Sequence, residues 1–301
     1  MELCERFAYY GLSGPFNNYI NYSYHDPTGL PGALGLGQSG ATALTNFFQF
    51  WCYLTPIIGA VVADQYLGKY KTLYYFSLIY MSGIVALFIS SLPWFIEHGF
   101  AFLGLIIAMV VIGLGTGGIK ANVAPLIAEQ YTQTEAYVSV RPSGEKVIVD
   151  PSLTVQRIYM LFYLMVNIGS MSPIFTTPLE KYVGFWAAYL LPFAMFVVGF
   201  MLLVRGRKSY VDKPPKGSVV VDSFKAIGIA IKHRSLEAAK PSRHAGMHVN
   251  WDDRFIDELK GALMACKVFL FFPIYWLCFN QVTKSLSLAS MHRFRTKLTY
   301  I

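Results

Sequence analysis

Charge is scarce in this chain. Asp, Glu, Lys and Arg together supply 14% of its 301 residues, against about a quarter in soluble domains, so a soluble enzyme is the minority reading from the outset. Cysteine is equally sparse. Cys4, Cys52, Cys266 and Cys278 form no C-x-x-C pair and no metal-ligand spacing, which excludes a disulfide framework and a zinc site. Histidine is missing from every long apolar run, leaving a histidine relay or haem site without support. No Ser/His/Asp set, H-E-x-x-H or phosphate-binding loop occurs, so no enzyme activity and no cofactor are expected. A cleavable signal peptide is also lacking, because Met1 is followed by Glu2 and Glu5 instead of a basic region and an apolar core.

What is present is apolar: 54% hydrophobic residues and a mean hydropathy of +0.43. A bilayer core needs about 20 apolar residues per helix, and charge-free runs occur at 41–63, 72–92, 99–119, 158–179 and 182–204. A polar but uncharged stretch, 7–24, precedes them, and 261–283 follows, so seven spans are expected in an all-α, polytopic membrane protein. Connections 21–40 and 93–98 lack Lys and Arg, and the next on that side has only Lys181. The opposite side carries Lys69, Lys71, Arg141, Lys146 and Arg157, which assigns it to the cytoplasm. Residues 205–260 continue that basic side with Lys213 and Lys216 and contain an amphipathic stretch, Phe224–Arg234, expected to lie on the inner membrane surface. The net charge of +8 is thereby explained by a lipid bilayer as partner, without nucleic acid.

The chemistry concentrates in Glu2-Leu-Cys-Glu-Arg-Phe-Ala-Tyr-Tyr-Gly11. Helical spacing puts Glu2, Glu5, Arg6, Tyr9 and Tyr10 on neighbouring positions of one side. A carboxylate whose pairing with Arg6 changes on protonation can couple proton movement to conformation, whereas the bland alternative is an interfacial flank. In Gly113–Asn122 the glycines fit G-x-G-x-x-G, but a preceding strand is lacking and small residues for close helix packing are the better reading. Lys120 is either a cytoplasmic anchor or an inward charge facing Glu2 or Glu5. Gly59 to Tyr70 reads as a hinge, with Asp64 expected to cap the next helix and Gly68 to permit a tight turn. Asn167 is expected to be a buried amide that finds a neighbouring helix or a ligand.

With these stretches in view, the chain resembles the proton-coupled oligopeptide transporter family of the major facilitator superfamily, especially its fungal members. The first segment resembles the family's E-x-x-E-R-F-x-Y-Y-G, Gly59–Tyr70 its signature after the second helix, and Phe162–Met171 its F-Y-x-x-x-N-x-G-S signature. Gly113–Asn122 is similar to G-T-G-G-I-K-P-N, with Ala121 replacing the proline. The resemblance covers roughly residues 2 to 283 and implies inward symport of di- and tripeptides with protons. It implies proton coupling by Glu2, Glu5, Arg6 and Lys120, and peptide binding by Arg6, Tyr9, Tyr10, Lys120 and Asn167. Gly59, Asp64, Gly68 and Lys69 would serve gating. Ser13 stands where many bacterial members carry a second arginine, and Asn280 where many carry an acid.

The implied organisation is a six-helix bundle at 1–204, a cytoplasmic linker at 205–260 and the first helix of a second bundle at 261–283, followed by a tail, 284–301, unlike the family. The expected location is the plasma membrane, with the N-terminus cytoplasmic. Because the family has about twelve helices, the expectation is a truncated chain, impaired in transport. A seven-helix receptor and a non-transporting fragment are the alternatives.

Overall fold

The computed structural model describes residues 1–276 and 278, apart from 27–28, 134, 141, 143, 212–214, 216, 218, 234, 244–248 and 250. Arg141, Lys213, Lys216, Arg234, Asn280, the end of the expected seventh span and the tail 284–301 therefore lie outside the described residues. The chain forms two compact units, Met1–Ser218 and the part from Val219 onward.

The first unit is a helical bundle: α1 (Glu2–Asn21), α2 (Gly37–Val62), α3 (Lys69–Ser90), a short α4 (Pro93–Glu97), α5 (Ala101–Glu129), α6 (Pro151–Ser170), α7 (Pro173–Tyr182) and α8 (Phe185–Arg205). Pro93, Pro151 and Pro173 each open a helix, where the missing N–H breaks no intrahelical bond. Asp150 caps α6 by accepting from the Ser152 backbone N–H at 2.9 Å and its hydroxyl at 2.7 Å. These same bonds hold the Asp150 carboxyl below its ordinary value. Between α5 and α6 a hairpin joins β1 (Tyr137–Val140) to β2 (Lys146–Val149), with Tyr137 opposite Val149.

Among the described residues, six helical stretches are long and apolar enough to cross a membrane: Gly37–Leu67, Lys69–Ser90, Ala101–Glu129, Pro151–Tyr182, Phe185–Ser209 and Asp253–Trp276. The protein is an integral membrane protein. α1 packs within the same bundle, against α8, α6, α2 and α7, without being apolar enough to join that set. The apolar run 99–119 understates α5, because Lys120 ends the run without ending the helix. Likewise, Glu2, Glu5 and Arg6 stand inside the first two turns of α1.

Lipid tails give helices no hydrophobic reason to associate, so close packing and interhelical hydrogen bonds do the work. The α2–α5 contact shows both. A methyl group at Gly59 would come within 2.5 Å of the Gly117 carbonyl oxygen and 2.6 Å of the Gly118 Cα. Beside it, the Thr55 hydroxyl donates to the Gly113 carbonyl at 2.7 Å, and the Asn122 amide donates to Gly118 at 2.8 Å and Gly59 at 3.3 Å. After α2 the backbone widens into a π turn, Ala63–Leu67, and reverses at Gly68, whose φ of 77° suits glycine. Here the sequence expectation needs correction: the cap of α3 is Gly68, and Asp64 makes no capping hydrogen bond there. Asp64 sits inside the π turn, a full turn too early to reach the first amides of α3.

The second unit contains α9 (Val219–His233) and α10 (Asp253–Cys266), with Ala226, Ala239 and Ile256 as its buried apolar centre. Trp251 donates its indole N–H to the Ala239 carbonyl at 3.0 Å. Lys240 bridges Glu237 at 3.2 Å and Asp257 at 2.7 Å, while Lys260 reaches Glu237 at 3.0 Å.

Replacing Gly59 with leucine is expected to force α2 from α5 and lower stability by about 1–3 kcal/mol, read as a fall in the thermal transition in detergent. The charged cluster of the second unit sets a pH window. Hydrogen bonds from Lys260 and then Lys240 hold Glu237 below its ordinary value, whereas Asp257 and then Glu237 hold Lys240 above its own. Both contributions are complete between the unfolded values, about pH 4.3 and about pH 10.4. The Glu237 contribution is lost as pH falls through its depressed folded value, and that of Lys240 as pH rises through its elevated one. Amide exchange of α9, corrected for intrinsic rates, should be flat inside the window and accelerate beyond both edges.

Candidate functional site

The first two turns of α1 bring three charges together. Arg6 Nη2 lies 2.5 Å from Glu5 Oε2 and Arg6 Nε lies 3.1 Å from Glu2 Oε1, while Glu5 is fully buried. At these distances both pairs are ionic, and the Arg6–Glu5 contact carries hydrogen-bond character as well as charge. Arg6 also stands 5.5 Å from the centre of the Tyr9 ring, which in turn stacks on Phe48 at 5.9 Å and meets Tyr10 edge-on at 5.3 Å.

Lys120 approaches from α5, well inside the helix. Its ammonium lies 3.8 Å from the centre of the Tyr53 ring and within electrostatic reach of Glu2, Glu5 and Arg6. Of the two readings open in the sequence, the geometry matches the inward charge, since the anchor requires a helix terminus that lies at Glu129. Glu2, Glu5, Arg6 and Lys120 contribute two negative and two positive charges, so the group is neutral as a whole.

Two tyrosines at this site escaped sequence reasoning. Tyr53 covers Lys120. Tyr80 of α3 is fully buried, within electrostatic reach of Glu5 and Arg6, and its hydroxyl has no hydrogen-bond partner in the protein. Nothing in the sequence separates either from the other tyrosines of the apolar runs. Asn167 departs from expectation. It is exposed on α6, and its amide donates to the Tyr163 carbonyl of its own helix at 2.7 Å, with no bond to a neighbouring helix. The physical reason is that Gly169 is the one buried residue of α6, so the face that carries Asn167 has no described helix against it.

Of the expected gating residues, Asp64, Gly68 and Lys69 lie at the turn from α2 to α3, whereas Gly59 packs on Gly117 and Gly118 of α5. Lys69 pairs with Glu129 at 2.5 Å, joining the start of α3 to the end of α5. The Asp64 carbonyl accepts from the Gly217 N–H at 3.2 Å. Gln130 grips the main chain of Val211 twice, accepting its N–H at 2.9 Å and donating to its carbonyl at 3.3 Å.

Arg6 is the only cation in ion-pair contact with the two carboxylates among the described residues. Arg6→Ala should therefore cost about 3–5 kcal/mol by stranding buried charge, and Glu5→Gln much less, because the arginine keeps Glu2. Thermal unfolding of the two variants in detergent should show that order.

Comparison with known proteins gives a concordant answer. The sequence profile described as "PTR2: POT family" matches residues 70–299. The chain is 52% identical to "Peptide transporter PTR_B" of Candidozyma auris, over 95% of its own length and 49% of that protein's. It is 47% identical to "Peptide transporter PTR2" of Saccharomyces cerevisiae, over 95% of its length and 47% of the relative's. The chain thus spans about half the length of the curated relatives it matches. Among solved structures, the "in meso crystal structure of the POT family transporter PepTSo" superposes with a TM-score of 0.59 at 23% identity, covering 90% of this chain and 46% of the other, which bears on the fold alone. These matches leave the seven-helix receptor without support. The profile match, which extends over more than half of the chain, establishes that this chain belongs to the proton-coupled oligopeptide transporter (POT) family.

Proposed function

We propose that the protein carrying this chain moves di- and tripeptides inward across the plasma membrane together with protons. The observation that carries the reading is the neutral group of Glu2, Glu5, Arg6 and Lys120 buried in a membrane bundle. Peptide transporters about 50% identical to this chain support the substrate class.

Charge arithmetic supplies the coupling. Binding of one proton to Glu2 or Glu5 leaves Arg6 matched by the remaining carboxylate and gives the group a net positive charge, centred on Lys120. A peptide carboxylate restores neutrality. Proton and peptide therefore favour each other's binding, reciprocally, and each binds weakly alone. Lys120, held meanwhile against Tyr53 at 3.8 Å, is the group released to the peptide, with Arg6 as its second cation. Tyr9, Tyr10 and Asn167 line the peptide's path in this reading. Exposure of Asn167 suits a face that substrate or further helices cover.

The basic side, with Lys69, Lys71, Lys146 and Arg157, is cytoplasmic in this proposal, as are the N-terminus and residues 205–260. α9 then lies at the inner membrane surface. Gly59, Asp64, Gly68 and Lys69 act in gating, and the Lys69–Glu129 pair is a latch between α3 and α5.

The test is dipeptide uptake, under an imposed proton gradient, into vesicles containing a completed chain of the relatives' length; the 301 residues alone are expected to transport poorly. Accumulation is expected with the gradient and not without it. Glu5→Gln should abolish gradient-driven accumulation while some peptide exchange persists. Unchanged accumulation in that variant would refute the role given to Glu5.

A further inference from the structure

Far from the charged cluster, at the last turn of α1, a second carboxyl group is buried with no opposite charge. Glu180 of α7 is 3% exposed and accepts a hydrogen bond from the Asn18 amide at 2.7 Å. No basic side chain among the described residues pairs with it, and the adjacent Lys181 turns towards the Tyr182 ring, 5.5 Å away. Facing Glu180 are Asn18 from α1, Tyr189 from α8, and Tyr24, Ser91 and Trp186 around a cavity of about 160 Å³ that Glu180 also lines. His25 meets the Tyr24 ring edge-on at 4.8 Å.

Glu180 is the end of a stripe. Ser172, Thr176 and Glu180 recur every fourth residue and are all buried, so they share the face of α7 and its entry turn that packs on α1. Opposite them α1 presents small residues: a methyl group at Gly11 would lie 3.3 Å from the Ser172 hydroxyl oxygen, and one at Gly14 would lie 3.9 Å from that of Thr176. One turn before Ser172, a methyl group at Gly169 would lie 2.7 Å from Arg6 Cβ. The hydroxyls of Ser172, Thr176 and Tyr189 are buried and have no hydrogen-bond partner in the protein. Such groups are costly in a membrane interior; Ser172 and Thr176 line the stripe, Tyr189 approaches Glu180 from α8, and together they call for a use.

We propose that Glu180, Tyr189, Thr176 and Ser172 form a proton route from this cavity to Glu5. It rests on the reading of Glu2 and Glu5 as proton-exchanging groups. A proton entering the cavity binds a Glu180 carboxylate oxygen. Each hydroxyl then accepts a proton from one side and releases its own to the other, and the last transfer protonates Glu5. Successive stripe positions are about 6 Å apart along the helix, longer than one hydrogen bond, so water molecules are the intervening carriers. One proton enters and one arrives; no bond between heavier atoms changes and nothing is oxidised.

Infrared spectroscopy of the membrane-reconstituted protein tests the route without needing transport. At a pH low enough to protonate Glu5, the carboxylic-acid band that disappears in Glu5→Gln is followed after a switch from H2O to D2O. Glu180→Gln keeps an oxygen for Asn18 but removes the proton site, and Thr176→Val keeps the shape but removes the hydroxyl. Both should slow exchange at Glu5 on the order of tenfold, and Glu180→Asp should recover part of the rate. A merely structural role predicts the opposite sign, because looser packing admits solvent and speeds exchange. An unchanged or raised rate in Glu180→Gln and Thr176→Val, or no Glu5 band at all, would overturn the route. Failure of the completed chain to accumulate dipeptide would refute the symport reading while this measurement stood.

Discussion

The arrangement depends on keeping Glu2, Glu5 and Arg6 out of both water and lipid. A charged side chain at the middle of a membrane helix costs about 2.5–3.5 kcal/mol on insertion scales, and α1 carries three within its first two turns. It is also the helix of the bundle that falls short of the apolar set despite its length. The cost is offset by position: α2, α6, α7 and α8 all pack on α1, and the carboxylates meet Arg6 at 2.5 and 3.1 Å. What looks like a poor membrane span is therefore the helix the others enclose.

Small residues make that enclosure possible. Gly59 lets α2 touch the backbone of α5, and Gly11 brings α1 onto the turn at Ser172. Polar side chains near these contacts fall into two classes. Thr55 and Asn122 spend their donors on carbonyls and serve as joints. Tyr80, Ser172, Thr176 and Tyr189 keep hydroxyls without protein partners, which marks them for chemistry more than for cohesion.

Much of this was legible in the residues. Apolar runs located α2, α3 and α8 within a few residues, and the start of α5, since lipid imposes one length and one composition on all spans. The spacing of Glu2, Glu5 and Arg6 foretold their meeting because one helix supplies all three. Contacts between helices were less accessible. Lys120 under Tyr53 joins positions far apart in sequence, and only the path of α5 decides whether a lysine at the edge of an apolar run snorkels or turns inward. Asn167 failed for a related reason: a polar residue in an apolar span does not announce which face it occupies. Asp64 failed because a π turn shifted the backbone register ahead of α3.

The hold of Gln130 on Val211 has a consequence of another kind. Both bonds go to the main chain, so any residue at 211 except proline, which lacks the N–H, can keep the contact, while its place along the chain is fixed. Side chains there can vary, whereas an inserted or deleted residue between 205 and 211 would present the wrong peptide unit to the glutamine. This stretch should therefore keep its length across relatives more faithfully than its composition.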